Sequence, residues 1–161
     1  AAHIGTFDFT SNCYYKYFSI SWSEYTRKVA DLLGGDLAAE VLPKVLSAFL
    51  EGLVKALPVG AKNSFASNTL PSSILVEVRN SPRSVSYHNA FLTPAAPSRD
   101  RSLEDASVAM LGHHILELDR YGDDVQRFWF DVSDRPLGRV IEKGFNTFPA
   151  FVEAVVSKVA R

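Results

Sequence analysis

The apolar positions of this chain change period along its length. Residues 3–9 and 13–20 interleave aromatic and β-branched residues around Thr10-Ser11-Asn12, which predicts two strands or one bent strand. Ser21 followed by Glu24 matches a capping box and predicts a helix that ends at Gly34-Gly35. Asp36 is placed to cap a second helix. Val45, Leu46, Phe49, Leu50, Leu53, Val54 and Leu57 fall on one face of it. Pro43 either kinks that helix or starts it afresh, and Pro58 and Gly60 punctuate its end.

The second half alternates more sharply. Ile74 to Arg79 predicts a strand, Asn80-Ser81-Pro82 a turn, Val85 to Phe91 a short second strand, and Pro94 to Pro97 a loop. Ser102 with Asp105 opens a helix to about Tyr121, with Gly122 as its stop. From Gln126 to Val132, Phe128, Phe130 and Val132 alternate with Trp129 and Asp131, the pattern of a half-buried strand. Thr147 caps a last helix carrying Phe151, Val152, Val155, Val156 and Val159. The order β-α-α-β-β-α-β-α predicts an α+β sandwich of ferredoxin-like type, with an antiparallel sheet and helices on one face.

Composition narrows the class. With 161 residues, 47% of them hydrophobic, the chain can bury one sizeable core, so residues 1–161 are read as a single α+β domain. A net charge of −1 supplies no global attraction to nucleic acid. Cys13 is the only cysteine, which excludes an intrachain disulfide and fits a reducing cytoplasm. No apolar run approaches the ~18 residues of a membrane span, so no membrane partner is expected.

Few residues suggest catalysis. His113 and Glu117 stand four apart on a helix beside His114, without further metal ligands nearby. Cys13 lacks a partner that would activate it. Asp123 and Asp124 read as a solvated turn. Asp131 and Asp134 form a carboxylate pair without an acid or base partner. Walker, Rossmann and nucleophile-elbow patterns are missing. No enzyme activity, metal or cofactor is expected.

Binding chemistry is more visible. The turn Gly60-Ala61-Lys62-Asn63-Ser64 gathers backbone N–H groups, one ammonium and one amide, which can hold a phosphodiester without reading a base. Tyr14, Tyr15, Lys16, Tyr17 and Phe18 can stack bases and touch phosphate if they lie on a strand, with residues 15 and 17 on one face. Arg79, Arg83, Arg99 and Arg101 form the densest basic zone, with Arg83 the chosen RNA contact.

Three stretches in order carry a specific resemblance. They are Ala2-His3-Ile4-Gly5-Thr6-Phe7-Asp8-Phe9-Thr10-Ser11 with Tyr14-Tyr15-Lys16-Tyr17, then Leu57-Pro58-Val59-Gly60-Ala61-Lys62-Asn63-Ser64-Phe65-Ala66, then Asn89-Ala90-Phe91. Gly34-Gly35 fits between the first two. Over roughly the first ninety residues the chain resembles the CasC-type repeating backbone subunit of the type I-E CRISPR surveillance complex, Cascade. Where that family usually has Lys-Gln in the second stretch, this chain has Lys62-Asn63, an amide one methylene shorter.

The resemblance implies an RNA-recognition-motif-like palm with a helical extension and a long thumb. It implies a subunit about twice this length, of which this chain is the C-terminal half, with the main part of the thumb ahead of His3. It implies a non-catalytic scaffold whose neighbouring copies line a crRNA, which pairs with target DNA while other Cascade subunits complete the assembly. An α+β protein-interaction domain independent of nucleic acid is the alternative, and the balanced charge favours it.

Overall fold

The structure is a computed structural model that describes residues 13–56 and 69–160. In chain order the elements are α1 (Trp22–Leu33), α2 (Gly35–Lys55), β1 (Ser73–Arg79), α3 (Leu103–Leu118), β2 (Val125–Asp131) and α4 (Phe148–Val159). Single 3₁₀ turns occupy His88–Phe91 and Asp119–Tyr121. The architecture is α+β, with four helices and a two-stranded antiparallel sheet among the described residues, compatible with part of a ferredoxin-like fold.

Gly34 joins the first two helices with a φ of 80° that suits glycine. Its N–H closes α1 on the Ala30 carbonyl at 2.9 Å, and its carbonyl opens α2 on the Ala38 N–H at 3.0 Å. The N-cap of α2 is therefore Gly34, and Asp36 lies inside the first turn. Ser21 is the N-cap of α1, but its side chain makes no capping bond. Glu24 pairs instead with Lys28 at 2.9 Å, one turn on, so the expected capping box does not form. α2 runs unbroken through Pro43. Ala39, whose carbonyl loses its partner to the proline, is exposed and open to water.

α3 starts where the sequence predicts, and its expected run to about Tyr121 is completed from Asp119 by the 3₁₀ turn. The Ser102 hydroxyl accepts from Asp105 N at 3.0 Å, and the Asp105 carboxylate accepts from Ser102 N at 3.3 Å. Gly122, at φ 76°, ends the following 3₁₀ turn. Thr147 caps α4 by accepting from Ala150 N at 3.3 Å.

β1 and β2 pair from Ser73↔Asp131 to Arg79↔Val125. One sheet face carries Ile74, Val76, Val78, Phe128 and Phe130. It packs on Phe151, Val152 and Val155 of α4, with Leu50 of α2 at the edge. The other face carries Leu75 and Trp129, against Tyr87, Leu137, and Val108 and Ile115 of α3. β2 is thus covered on both faces rather than half-buried as its alternation predicts. α3 and the residue 85–91 segment supply the second cover.

Two further expectations are corrected. Residues 13–20 are irregular, and residues 85–91 form an irregular stretch and the 3₁₀ turn rather than a strand. Their polar groups bond side chains across the fold instead of a ladder. Tyr87 N donates to the Tyr15 hydroxyl at 3.0 Å, and the Ser19 and Ser84 hydroxyls meet at 2.8 Å. The strand expected at residues 3–9 lies outside the described residues.

Close approach limits two glycines. A Cβ on Gly144 would sit 2.7 Å from the Trp129 carbonyl oxygen, and one on Gly112 3.0 Å from that of Leu137. Gly52, on the exposed side of α2, has open space around it. Denaturant unfolding should therefore separate two alanine substitutions. Gly144→Ala is expected to destabilise the fold, whereas Gly52→Ala stabilises it by up to about 1 kcal/mol. Phe151→Ala, at the centre of the α4 cluster, is expected to cost about 3–5 kcal/mol.

Candidate nucleic-acid interface

A charged network crosses the α3-facing side of the sheet. Glu77 and Arg127 are register partners. Arg127 Nε donates to Glu77 at 2.7 Å, and its terminal nitrogens fork onto the Asp119 carboxylate. Arg79 donates to Glu77 at 2.7 Å and to Asp123 at 3.2 Å. The Tyr87 hydroxyl donates to Glu77 and accepts from Arg79 at 3.1 Å. Arg83 closes the chain of contacts on the other Asp123 oxygen.

Glu77, Arg79 and Arg127 are nearly removed from solvent, so each needs these partners. Burial first, then the Glu77 carboxylate, pushes the Tyr87 phenol above its usual range and keeps it a donor. Arg127 is also raised: burial opposes its charge, but Asp119 and Glu77 outweigh that effect. The sequence reading of Asp123 as a solvated turn is corrected, because its carboxylate binds two arginines. Asp124 accepts from Asn80 Nδ2 at 3.0 Å. No local sequence pattern announces this, because the partners lie forty or more residues away.

A second polar cluster holds the end of β2. Buried Asp131 accepts from Ser73 Oγ at 2.6 Å, Ser133 N at 2.8 Å and Arg135 Nε at 3.0 Å. Burial alone would raise its pKa, but these donors hold the carboxyl below the usual carboxylate range. Its partner is Arg135, which also reaches Glu104 at 2.6 Å. Asp134 takes a left-handed turn at φ 55°. Asp131 thus holds the turn that follows β2, and Asp134 supplies its left-handed residue.

The other candidates fall into place around these clusters. Tyr15 packs at a tilt against Phe91, with ring centres 5.6 Å apart. Lys16 donates to the Leu53 carbonyl in the last turn of α2 at 3.3 Å, and its ammonium lies 4.9 Å from the Phe18 ring centre. Tyr14, Tyr17 and Phe18 remain exposed. Ser19 and Ser84 link this aromatic run to the residue following Arg83. The segment that carries Tyr15, Lys16 and Tyr17 is thus joined to the segment that carries Arg83, while the Lys16 ammonium turns to the end of α2. Gly60, Ala61, Lys62, Asn63 and Ser64 lie outside the described residues.

Arg79 is consumed by the network, and Arg101 donates to the Asp105 carbonyl at 3.3 Å. His113 and His114 both approach Glu117, at 3.5 and 3.1 Å. Among the described residues no three His, Cys, Asp or Glu side chains are grouped to hold a metal ion. None of the described helices is long and apolar enough to cross a membrane.

Comparison with known proteins defines the class. The fold is shared with a chain of a CRISPR RNA-guided surveillance complex at a TM-score of 0.64 and 23% identity, over 83% of this chain and 49% of that one. A chain of a CRISPR RNA-guided surveillance complex in a pre-nicking state gives the same score, identity and coverage of this chain, and 35% coverage of its own length. This chain thus spans half or less of the length of these two chains. It belongs to the CT1975-like protein family, whose pattern covers residues 1–155. No curated protein matches it.

Two measurements check the electrostatics. Glu77→Ala takes from Arg79 and Arg127 the carboxylate they share, leaving them Asp123 and Asp119, and is expected to cost on the order of 3 kcal/mol in denaturant unfolding. Asp131 has a folded pKa below its unfolded value of about 3.9. Its contribution is present above the unfolded pKa and is lost as pH falls through the folded one. Asp131→Asn should therefore flatten the fall of stability with pH below about 4 relative to wild type.

Proposed function

We propose that this chain is part of a non-catalytic guide-RNA scaffold subunit of a type I-E CRISPR surveillance complex. Copies of the subunit stand side by side along the crRNA, hold its backbone and leave its bases free to pair with target DNA. The other Cascade subunits complete a cytoplasmic assembly used in antiviral defence. The observation that carries this reading is the fold match over 83% of the chain to a surveillance-complex chain. Membership of the CT1975-like family supports it. So does the exposed aromatic run beside Arg83, since stacking surfaces and arginine forks suit single-stranded RNA. The Gly60–Ser64 turn and Tyr15, Lys16, Tyr17 and Arg83 are the proposed contacts.

A neutral protein-interaction domain is the second reading. It is favoured by the net charge of −1 and by the pairing of Arg79, Arg127 and Arg135 with carboxylates. Titration of labelled single-stranded RNA into the full subunit separates the two. On the scaffold reading, Lys62→Ala weakens binding equally for unrelated sequences and lowers the salt slope by about 0.7 for one phosphate lost. The protein leaves the RNA uncut with or without divalent cations. Sequence-dependent losses at Lys62, or no RNA binding by the intact subunit, would count against the scaffold.

A further inference from the structure

We infer that Asp123 is a positioning residue that holds the Arg83 guanidinium ready for a phosphate of single-stranded RNA, with exposed Tyr17, on the segment tied to Ser84, available for a base. This inference rests on the RNA-scaffold reading. It adds a residue without any positive charge to the site and assigns it a function there.

The charged network has three arginines, Arg79, Arg83 and Arg127, and three carboxylates, Glu77, Asp119 and Asp123. Its charges balance, but they are not spread evenly. Arg79 and Arg127 are 11% and 13% exposed, whereas Arg83 is 61% exposed. Both ends of the network meet water, Asp119 at 36% exposure and Arg83 at 61%, and the cationic end is the more open. Asp123 is anchored from behind, because its Oδ2 accepts from Arg79. Its Oδ1 takes a single Arg83 terminal nitrogen, Nη2. A guanidinium has five N–H donors in a planar fork, so one edge remains for a bidentate phosphate contact while Asp123 holds the other.

The backbone around Arg83 is tied as well. Asn80 bonds Asp124 on one side of it, and Ser84 bonds Ser19 on the other. An arginine fixed in this way loses less rotamer freedom on binding, so more of each contact appears as affinity. The Ser84–Ser19 bond also sets the aromatic run at this place. Tyr17, two residues before Ser19, is 40% exposed, and Phe18 between them is 48% exposed with the Lys16 ammonium over its ring. Phosphate contact and base stacking on neighbouring groups are what a sequence-tolerant single-strand site needs.

The test is a double-mutant cycle in the full subunit, read by anisotropy of labelled oligo-uridine over a salt series. Arg83→Ala should weaken binding about tenfold, equivalent to roughly 1.4 kcal/mol, and lower the salt slope by about 0.7. Asp123→Asn should weaken binding by roughly three- to tenfold in the wild-type background and have no effect in the Arg83→Ala background. Unchanged or tighter binding by Asp123→Asn would overturn the proposal, because Asp123 would then merely neutralise Arg83. If Asp123→Asn does not fold, Arg83→Lys decides. An ammonium keeps the charge and the salt slope but lacks the fork, so full affinity in that variant overturns the proposal and reduced affinity upholds it. If Lys62→Ala weakens binding and Arg83→Ala does not, this inference fails while the scaffold reading stands. If the wild-type subunit does not bind the RNA, both fail.

Discussion

The Glu77 carboxylate holds a place that the rest of the structure depends on. It lies between two strands, facing its register partner Arg127, and also receives Arg79 and Tyr87. A buried ion group of this kind is weak support for net stability, since desolvation cancels much of the attraction. Its strength is in specificity. A slip of one residue along β1 would turn Glu77 and Arg79 onto the α4 face, among Phe128, Phe151 and Val155. That arrangement would bury unpaired charge, so the register has one tolerable answer.

The network then organises elements far apart in the chain. Arg127 brings in Asp119 beyond α3, and Arg79 brings in Asp123 from the next turn. Tyr87 reaches back through its N–H to Tyr15. The aromatic segment before α1 is therefore seated on the sheet by side chains, without a ladder of its own. One consequence concerns charge at the surface. Most arginines near the sheet are occupied internally, so a net charge of −1 says little about the local field at Arg83.

Where capping and periodicity agreed, the sequence was a good guide. Ser102 with Asp105, Gly122, and Thr147 with Phe151 and Val155 all act within a turn or two, so neighbouring residues carry the whole signal. The reading failed where the deciding partner was distant. Residues 13–20 and 85–91 have strand-like composition, yet Tyr15, Ser19, Ser84 and Tyr87 bond each other across the fold. The β2 alternation looked one-sided because Trp129 carries a polar N–H and Asp131 a carboxylate. Each finds its partner after the strand, Trp129 on the Arg135 carbonyl at 2.7 Å and Asp131 on Arg135 and Ser133.

For the candidate site the division is similar. Sequence alone determined which residues have the chemistry for RNA, an exposed-type aromatic run with Lys16, an arginine-rich loop zone and a glycine-lysine turn. Tertiary structure decided which of these stay available. Lys16 is drawn to the end of α2 because the negative end of the helix dipole there attracts a cation. Arg79 is drawn inward by Glu77, whereas Arg83 is held at the surface by Asp123. Charge type is written in each residue, but its availability depends on groups brought close by folding, and local sequence does not contain those distances.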